Sequence, residues 1–176
     1  MSRLLVVLVF LWAAPAAVHA NAMPLPVAVQ AERGDLRVLG HGKMRWFGLH
    51  LYDAALWVAG SEWQWDRTFV LDIRYARAFS GEKLAAASVD EMRRLGYRDP
   101  RKLDAWRERM LAAFPDVKSG DRITGVYRPG IGAEFLHEGR ATAVIDDPEF
   151  ARAFFSIWLD PATREPKLRA ALLGRP

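Results

Sequence analysis

The stretch DRITGVYRPGIGAEFLHEGRATAVI, residues 121–145, decides the fold class of this chain. It contains three short runs rich in β-branched and aromatic residues, with Gly-containing sequences between them. The runs are residues 121–128, 133–137 and 140–145, and the sequences between them are Pro129-Gly130-Ile131-Gly132 and Glu138-Gly139. Runs of this length and composition favour strands, and such intervening residues favour turns. The stretch therefore predicts a meander of short antiparallel strands.

More strands are predicted before this meander. Residues 68–75 show a period of two, which is typical of a strand with one buried and one solvated face. The expected buried set is Phe69, Leu71, Ile73 and Tyr75, and the expected solvated set is Thr68, Val70, Asp72 and Arg74. Residues 36–42 and 46–58 are also predicted strands, because they are rich in aliphatic and aromatic residues. Gly40-His41-Gly42 is interpreted as a turn or bulge rather than as a phosphate-binding loop.

Four helices are predicted around the meander, two before it and two after it. Ser80, Asp99 and Asp147 are the expected N-caps of the first three, because their side-chain oxygens can accept hydrogen bonds from a first helical turn. Proline follows Asp99 and Asp147 at the first helical position. The fourth helix is expected in residues 166–173. Strands, helices, strands and helices in this order predict an α+β fold, with helices packed on one face of an antiparallel sheet.

Length and composition exclude several classes of protein. The chain has 176 residues, which is the size of one domain, and its 51% hydrophobic and 26% charged residues are typical of a packed globule. It has no Cys, which excludes disulfides, iron–sulfur clusters and Cys nucleophiles. The 25 basic residues are nearly matched by 21 acidic residues, so the net charge of +4 predicts no nucleic-acid partner.

Residues 1–22 are predicted to be a signal peptide. Arg3 precedes an almost continuous apolar run, and Ala20 and Ala22 provide small residues at the places where a signal peptidase cleaves. Pro15 interrupts the run, which is shorter than the roughly 20 residues that a membrane-spanning helix needs. We therefore expect residues 23–176 to form one periplasmic or secreted domain, without a later transmembrane segment.

Motifs for metal binding or nucleophilic catalysis are weak in this sequence. His41, His50 and His137 lack the spacing of a metal pair, so we expect no metal site and no cofactor. Ser80 and Lys83 have the Ser-x-x-Lys spacing of penicillin-recognising acylases, in which the Lys serves as base for the Ser. The alternative, which we favour, is that Ser80 only caps a helix. We assign no catalytic residue.

The segment GHGKMRWFGLHLYDAALWV, residues 40–58, holds the best candidate binding residues. On a regular strand, His50, Tyr52 and Ala54 would share one face. Arg45 and Tyr52 could bind a carboxylate or polarise a carbonyl inside an apolar cavity, because Arg carries a permanent charge and Tyr a hydroxyl. The alternative, favoured by spacing alone, is that Arg45 is a surface charge and Tyr52 a core aromatic residue.

Several segments, in their order along the chain, resemble the chalcone isomerase-like family, particularly its exported bacterial members. The segments are Tyr52-Asp53-Ala54-Ala55-Leu56-Trp57, Leu71-Asp72-Ile73-Arg74-Tyr75, Lys118-Ser119-Gly120-Asp121-Arg122, Tyr127-Arg128-Pro129-Gly130-Ile131-Gly132, residues 150–159 and Leu172-Leu173-Gly174. The resemblance implies an open-faced sandwich, in which helices cover one face of a curved antiparallel sheet. It also implies an apolar cleft between the sheet and the helices.

The resemblance implies a binding protein rather than an enzyme. Chalcone isomerases use an early Arg with Thr and Tyr hydroxyls, whereas this sequence has Tyr52 at the Thr position and Leu84 at the Tyr position. Arg45 matches the early Arg with a shift of one residue, and Glu91 stands near an Asn of the enzymes' substrate site. Noncatalytic relatives bind fatty acids in the same cleft, which makes Arg45, Tyr52 and Tyr75 the expected ligand contacts.

We therefore expect an exported, nonenzymatic domain that binds a small apolar or amphipathic ligand such as a fatty acid. Two alternatives stay open. One is an isomerase or intramolecular lyase that acts on an enone-type substrate. The other is a protein-interaction module of the cell envelope, which an Arg-rich surface would favour.

Overall fold

A computed structural model describes residues 25, 29–30 and 35–175 of the chain. The expected signal peptide in residues 1–22 lies outside the described residues. Within the described part, no helix is both long enough and apolar enough to cross a lipid bilayer. The elements of this part are one antiparallel sheet and four helices.

The sheet has six strands that follow one another in chain order, each antiparallel to its neighbours. The strands are β1 (Leu36–Trp46), β2 (Leu49–Ala59), β3 (Phe69–Tyr75), β4 (Arg122–Arg128), β5 (Gly132–His137) and β6 (Arg140–Ile145). The last three strands confirm the predicted meander of residues 121–145. Glu138 and Gly139 join β5 to β6 with φ angles of 49° and 77°, which is the geometry of a tight two-residue turn.

The turn between β1 and β2 lies at Phe47 and Gly48, so the prediction of one strand over residues 46–58 is wrong at its beginning. The φ angles are 45° for Phe47 and 79° for Gly48, as in a type I′ turn. Phe rarely adopts this conformation, which is why the composition did not indicate the turn. Gly40 and Gly42 lie inside β1, and only a bulge just before Gly40 matches their interpretation as a turn or bulge.

The first three helices begin at the predicted N-caps, and the fourth begins at Pro166, after Glu165. They are α1 (Gly81–Arg94), α2 (Pro100–Ala113), α3 (Pro148–Leu159) and α4 (Pro166–Leu172). The side-chain oxygen of Ser80 accepts a hydrogen bond from the N–H of Lys83 at 3.3 Å. Asp99 and Asp147 likewise accept hydrogen bonds from first-turn N–H groups, each at 2.9 Å. The interpretation of Ser80 as an N-cap is therefore confirmed.

The helices cover one face of the sheet, and the main core lies between the two layers. Aromatic rings fill much of this core, and each fully buried ring contributes roughly 1.5–3 kcal/mol of apolar burial. Phe69, Phe135, Phe150 and Phe155 are all buried. The ring of Phe69 also stacks on that of Tyr127, with centroids 4.6 Å apart. The predicted α+β fold, with helices on one face of an antiparallel sheet, is confirmed.

The other face of β3, which its alternation predicts to be solvated, is buried in its middle. Val70 and Asp72 are fully buried there, and Val70 packs with Leu25 and Val29 in a second apolar cluster. The Asp72 carboxylate accepts hydrogen bonds from Nε and Nη2 of Arg122 at 2.7 and 2.6 Å. Burial raises the pKa of Asp72, and the bonds from Arg122 oppose that rise. The predicted solvated face is therefore wrong at Val70 and Asp72, which Leu25, Val29 and an ion pair remove from water, whereas Arg74 is exposed as predicted.

Candidate functional site

A cavity of about 420 Å³ lies between the sheet and helices α1 and α3. Its volume falls in the range of small-molecule binding sites, which is about 300–1,000 Å³. The apolar part of its wall comprises Met44, Trp46, Leu51, Ile73, Phe79, Leu84, Ala87, Phe114, Ile123, Phe154, Ile157 and Trp158. The apolar cleft that the family resemblance implied is therefore present.

Tyr52 on β2 contributes a hydroxyl to the cavity wall. Its oxygen accepts a hydrogen bond from the indole Nε1–H of Trp158 at 3.0 Å, which leaves the hydroxyl proton free to be donated. Burial raises the pKa of Tyr52, and although the bond from Trp158 opposes the rise, the carboxylates of Glu165 and Glu91 add to it. Tyr52 is therefore neutral at physiological pH and can act as a hydrogen-bond donor.

Tyr75 on β3 lies directly opposite Tyr52 in the antiparallel register. The two rings meet edge to face, with centroids 6.1 Å apart. Tyr75 is buried, and its hydroxyl has no hydrogen-bond partner among the described residues. Burial raises the pKa of Tyr75, and the neighbouring Tyr52 adds to that rise. The cavity thus contains two neutral hydroxyl donors that need an acceptor, which a ligand or a water molecule can supply.

A bulge in β2 decides which side chains of the β1–β2 hairpin reach the cavity. Met44 pairs with Tyr52, but the next residue, Arg45, pairs with His50, so Leu51 is an extra residue in β2. Paired residues share a face and successive residues of β1 alternate, so Tyr52 faces the helices while Arg45 and His50 face away. The expectation that His50 and Tyr52 share a face is therefore wrong.

Of the three predicted ligand contacts, the structure brings Tyr52 and Tyr75 together and leaves Arg45 apart. The Arg45 side chain is exposed and donates a long hydrogen bond of 3.4 Å to the carbonyl of Gly48. It does not line the cavity, whereas its neighbours Met44 and Trp46 do. Ligand binding by any of the three residues stays a prediction.

Charged side chains of α1 and of the segment before α4 form the rim of the cavity. They are Lys83, Asp90, Glu91, Arg164 and Glu165. Glu91 is held by two arginines, with Arg164 Nε at 3.1 Å and Arg94 Nε at 2.8 Å. Lys83, Asp90 and Arg164 are exposed, so these charges meet solvent at the mouth of the cavity. Charge at the mouth and apolar residues within suit an amphipathic ligand.

Trp158 is a polar-contact residue of the cavity that the sequence did not identify as functional. Its position on the apolar side of α3 predicted a core residue, and it lies 106 positions from Tyr52 in the chain. A half-buried Trp needs a partner for its indole N–H, which is a general signal that some acceptor lies nearby. Only the packing of α3 on the sheet shows that this acceptor is Tyr52.

Two of the histidines, His50 and His137, lie close to carboxylates. His50 Nε2 lies 3.3 Å from Asp53, and His137 Nε2 lies 3.7 Å from Asp121. In the part of the chain that the structure describes, no group of three or more His, Asp or Glu side chains is placed to hold a metal ion.

Comparison with known proteins assigns the family. Residues 17–174 match the family model described as chalcone isomerase-like. The match covers most of the chain, and the protein belongs to the chalcone isomerase-like family.

This chain is similar to a bacterial protein in sequence and to a plant protein in structure. An uncharacterized protein of Haemophilus influenzae is 27% identical over 141 residues, which cover 78% of this chain and 67% of that protein. Among solved structures, a fatty-acid binding protein of Arabidopsis thaliana superposes with a TM-score of 0.60. That match is 11% identical in sequence and covers 80% of this chain and 87% of the Arabidopsis chain. At this identity the likeness shows a shared fold.

Proposed function

We propose that this protein is a nonenzymatic binding domain for a small apolar or amphipathic ligand that carries an oxygen acceptor, such as a fatty acid. The observation that carries the proposal is an apolar cavity of about 420 Å³ that contains two tyrosine hydroxyl donors, neither of which has an acceptor among the residues that the structure describes. The fatty-acid binding of the Arabidopsis structural neighbour supports the same class of ligand.

The cavity can bind such a ligand through two different interactions. Apolar side chains would cover an acyl chain, which contributes about 0.8 kcal/mol for each buried methylene group. The hydroxyls of Tyr52 and Tyr75 would donate to the oxygen atoms of the head group and so fix its position. Because both hydroxyls have raised pKa values, they remain donors and do not repel a carboxylate at neutral pH. The ligand is thus held by burial and oriented by two hydrogen bonds.

Native mass spectrometry and lipid extraction of the gently purified protein test this proposal. We expect a bound lipid, and we expect the delipidated protein to bind one long-chain fatty acid in a fluorescence displacement titration. Tyr52→Phe and Tyr75→Phe should each weaken binding roughly fivefold, the effect of one lost hydrogen bond. Tyr97→Phe is the matched control, because Tyr97 lies outside the cavity wall. Absence of lipid together with absence of titratable binding would overturn the proposal.

An isomerase or intramolecular lyase acting on an enone is the second candidate. Two neutral donors directed at one carbonyl oxygen would stabilise the negative charge that develops there during addition to an enone. Loss of enone absorbance on incubation with chalcone or related enones, slowed by Tyr52→Phe, would favour this candidate. Stable binding without turnover would favour the binding protein.

We also propose that the protein is exported, on the basis of residues 1–22. Expression of the full chain in a bacterium, followed by cell fractionation and mass determination of the N-terminus, tests this point. We expect a periplasmic or secreted chain that begins after Ala20 or Ala22. A cytoplasmic chain that retains Met1 or Ser2 would contradict it.

A further inference from the structure

The turn of the β1–β2 hairpin, residues 46–49, presents three apolar side chains to solvent. We call these four residues the hairpin tip. Trp46 is 47% exposed, Phe47 90% and Leu49 52%. Single exposed apolar residues are ordinary on protein surfaces, but three within one turn form a contiguous apolar patch. Such a patch indicates a surface with an apolar partner.

The backbone conformation of Phe47 also supports the interpretation that the hairpin tip contacts an apolar partner. Its φ angle of 45° lies in the left-handed region, where Gly and Asn are common and an aromatic residue is unfavourable. Its ring contacts that of Trp46, with centroids 5.1 Å apart, and is otherwise directed into solvent. Phe47 therefore has an unfavourable backbone conformation, and burial of its side chain adds little to the stability of the fold. A role outside the folded core explains why a large aromatic residue occupies the turn.

The tip is flanked by cationic side chains. Lys43 and Arg45 both lie on β1 and are exposed. A carboxylate, that of Asp53, lies 3.9 Å from Lys43 Nζ and 3.3 Å from His50 Nε2. Arg45 instead contacts the carbonyl of Gly48. An apolar tip with basic flanks matches the two layers of an anionic lipid surface, which are acyl chains and negatively charged head groups.

The apolar surface of the tip continues into the cavity. Trp46 pairs with Leu49 across the hairpin and also lines the cavity wall. We propose that the hairpin tip docks on a lipid bilayer that contains anionic lipids and brings the mouth of the cavity to the head-group surface of that bilayer. Trp is well suited to this position because its ring is apolar and its N–H is polar. Docking is inferred from the residues of the hairpin alone. Transfer of a ligand from the bilayer into the cavity rests in addition on the proposed function.

A bilayer fits the tip better than a protein partner does. A specific protein interface usually buries about 800 Å² on each partner and needs a complementary surface. The tip is a narrow turn with three protruding side chains, which a fluid acyl layer accommodates without a preformed pocket. Lys43 and Arg45 are attracted to any anionic lipid head group, whereas a protein partner would need carboxylates at matching positions.

Site-specific labelling tests docking directly, because the chain has no Cys. An environment-sensitive fluorophore is attached to the Cys of the variant Phe47→Cys. The variant Ile131→Cys, labelled in the same way, is the matched control. Ile131 is also an apolar residue in a turn, between β4 and β5, and is 55% exposed. The protein is used as isolated from the expressing cells. On addition of vesicles of phosphatidylcholine and phosphatidylglycerol, we expect a blue shift of the label at position 47 and no shift at position 131. Equal responses at both positions, or none at position 47, would overturn the proposal.

Vesicle sedimentation with unlabelled variants gives the second measurement. The double variant Phe47→Asn with Leu49→Ser should bind these vesicles roughly tenfold more weakly, because two apolar side chains no longer enter the acyl layer. Arg45→Gln should weaken binding roughly fivefold on the anionic vesicles and leave binding to pure phosphatidylcholine unchanged. Ile131→Asn should bind like the wild type. Asn is well tolerated at a positive φ, so the melting temperature of Phe47→Asn should not fall.

The two proposals fail in different ways. Tyr52→Phe with Tyr75→Phe should lose fatty-acid affinity and keep vesicle binding, while the double hairpin variant should keep fatty-acid affinity in solution. If the wild type and the double hairpin variant sediment equally with vesicles, docking is wrong even if the ligand binds. A blue shift at position 47 that needs a second protein, or that rises with protein concentration without vesicles, would overturn bilayer docking in favour of a protein interface.

Discussion

Single residues decide which part of the β1–β2 hairpin faces the cavity. Alternation from Ala54 correctly places Tyr52 on the helix-covered side. The extra residue Leu51 then reverses the facing of His50, and with it that of Arg45 on the paired strand. A sequence shows no sign of a bulge when all neighbouring residues are compatible with a strand. The alternation of the strand therefore predicts which face of the sheet Tyr52 occupies, but it does not predict the face that Arg45 occupies.

Asp147 is a residue whose charge should make stability depend on pH. Burial alone would raise the pKa of its carboxyl, but hydrogen bonds from the Phe150 N–H and from Trp106 Nε1, together with the Glu149 N–H, outweigh it and lower the pKa. A pKa lowered by folding contributes stability above its unfolded value of 3.8, and this contribution is lost as the pH falls through the lower folded value. Asp147→Ala should reduce the free energy of unfolding at neutral pH by about 1 kcal/mol.

Urea denaturation of the wild type, Asp147→Ala and Asp147→Asn over a series of pH values measures this effect. Asn retains an oxygen that can cap the helix, so it should be less harmful than Ala. The difference between the wild type and Asp147→Asn should shrink as the carboxyl becomes protonated below about pH 4. A difference that stays constant down to the acid limit would contradict a charged cap.

At the level of elements, local signals predicted the helices well. Ser80, Asp99 and Asp147 cap helices as expected, because a cap acts on N–H groups only two or three residues further along the chain. The contact between β1 and α4 had no such local signal. Gly40 and Gly42 suggested a turn, yet they lie inside a strand that passes close under α4. The two elements are separated by most of the chain, so their contact is a tertiary property.

Substitutions at these two glycines should have unequal effects. A Cβ at position 40 would lie 2.1 Å from the carbonyl oxygen of Ala171, so the backbone of the helix end would have to move. At position 42 the closest atom is Cδ1 of Leu168 at 2.7 Å, which is the end of a flexible side chain. Gly40→Ala should therefore lower the free energy of unfolding by about 3 kcal/mol and Gly42→Ala by about 1 kcal/mol. Urea denaturation compares the two, and equal losses would argue against a close backbone contact at position 40.

At the level of the whole molecule, ligand binding should raise thermal stability. A ligand that binds only the folded state stabilises it by about 2.7 kcal/mol when its free concentration is 100 times Kd. For a chain of this size, each kcal/mol shifts Tm by about 2–4 °C, so a saturating fatty acid should raise Tm by roughly 5–10 °C. Differential scanning fluorimetry of the delipidated protein measures this shift. The shift should be smaller for Tyr52→Phe at the same concentration, and an unchanged Tm in the wild type would argue against binding.

Two contacts at this scale lie beyond what local pattern can predict. The alternation of β3 indicated a wet face, but Val70 and Asp72 are buried on it because Leu25, Val29 and Arg122 cover them. The period of a strand tells which residues share a face. It does not tell whether another segment of the chain lies on that face.

The sequence by itself determined the alternation of strands and helices, the helix N-caps, the antiparallel meander and the resemblance to the chalcone isomerase-like family. These features depend on residues close together in the chain or on the order of segments, which a sequence displays directly. The tertiary structure alone decided the bulge at Leu51, the exposed turn at Phe47 and the hydrogen bond from Trp158 to Tyr52. The bulge and the turn depend on how β1 pairs with β2, and the hydrogen bond depends on how distant elements pack, because hydrogen-bond partners and burial are set by neighbours in space. The same packing forms the cavity and leaves the hairpin tip in solvent at its mouth.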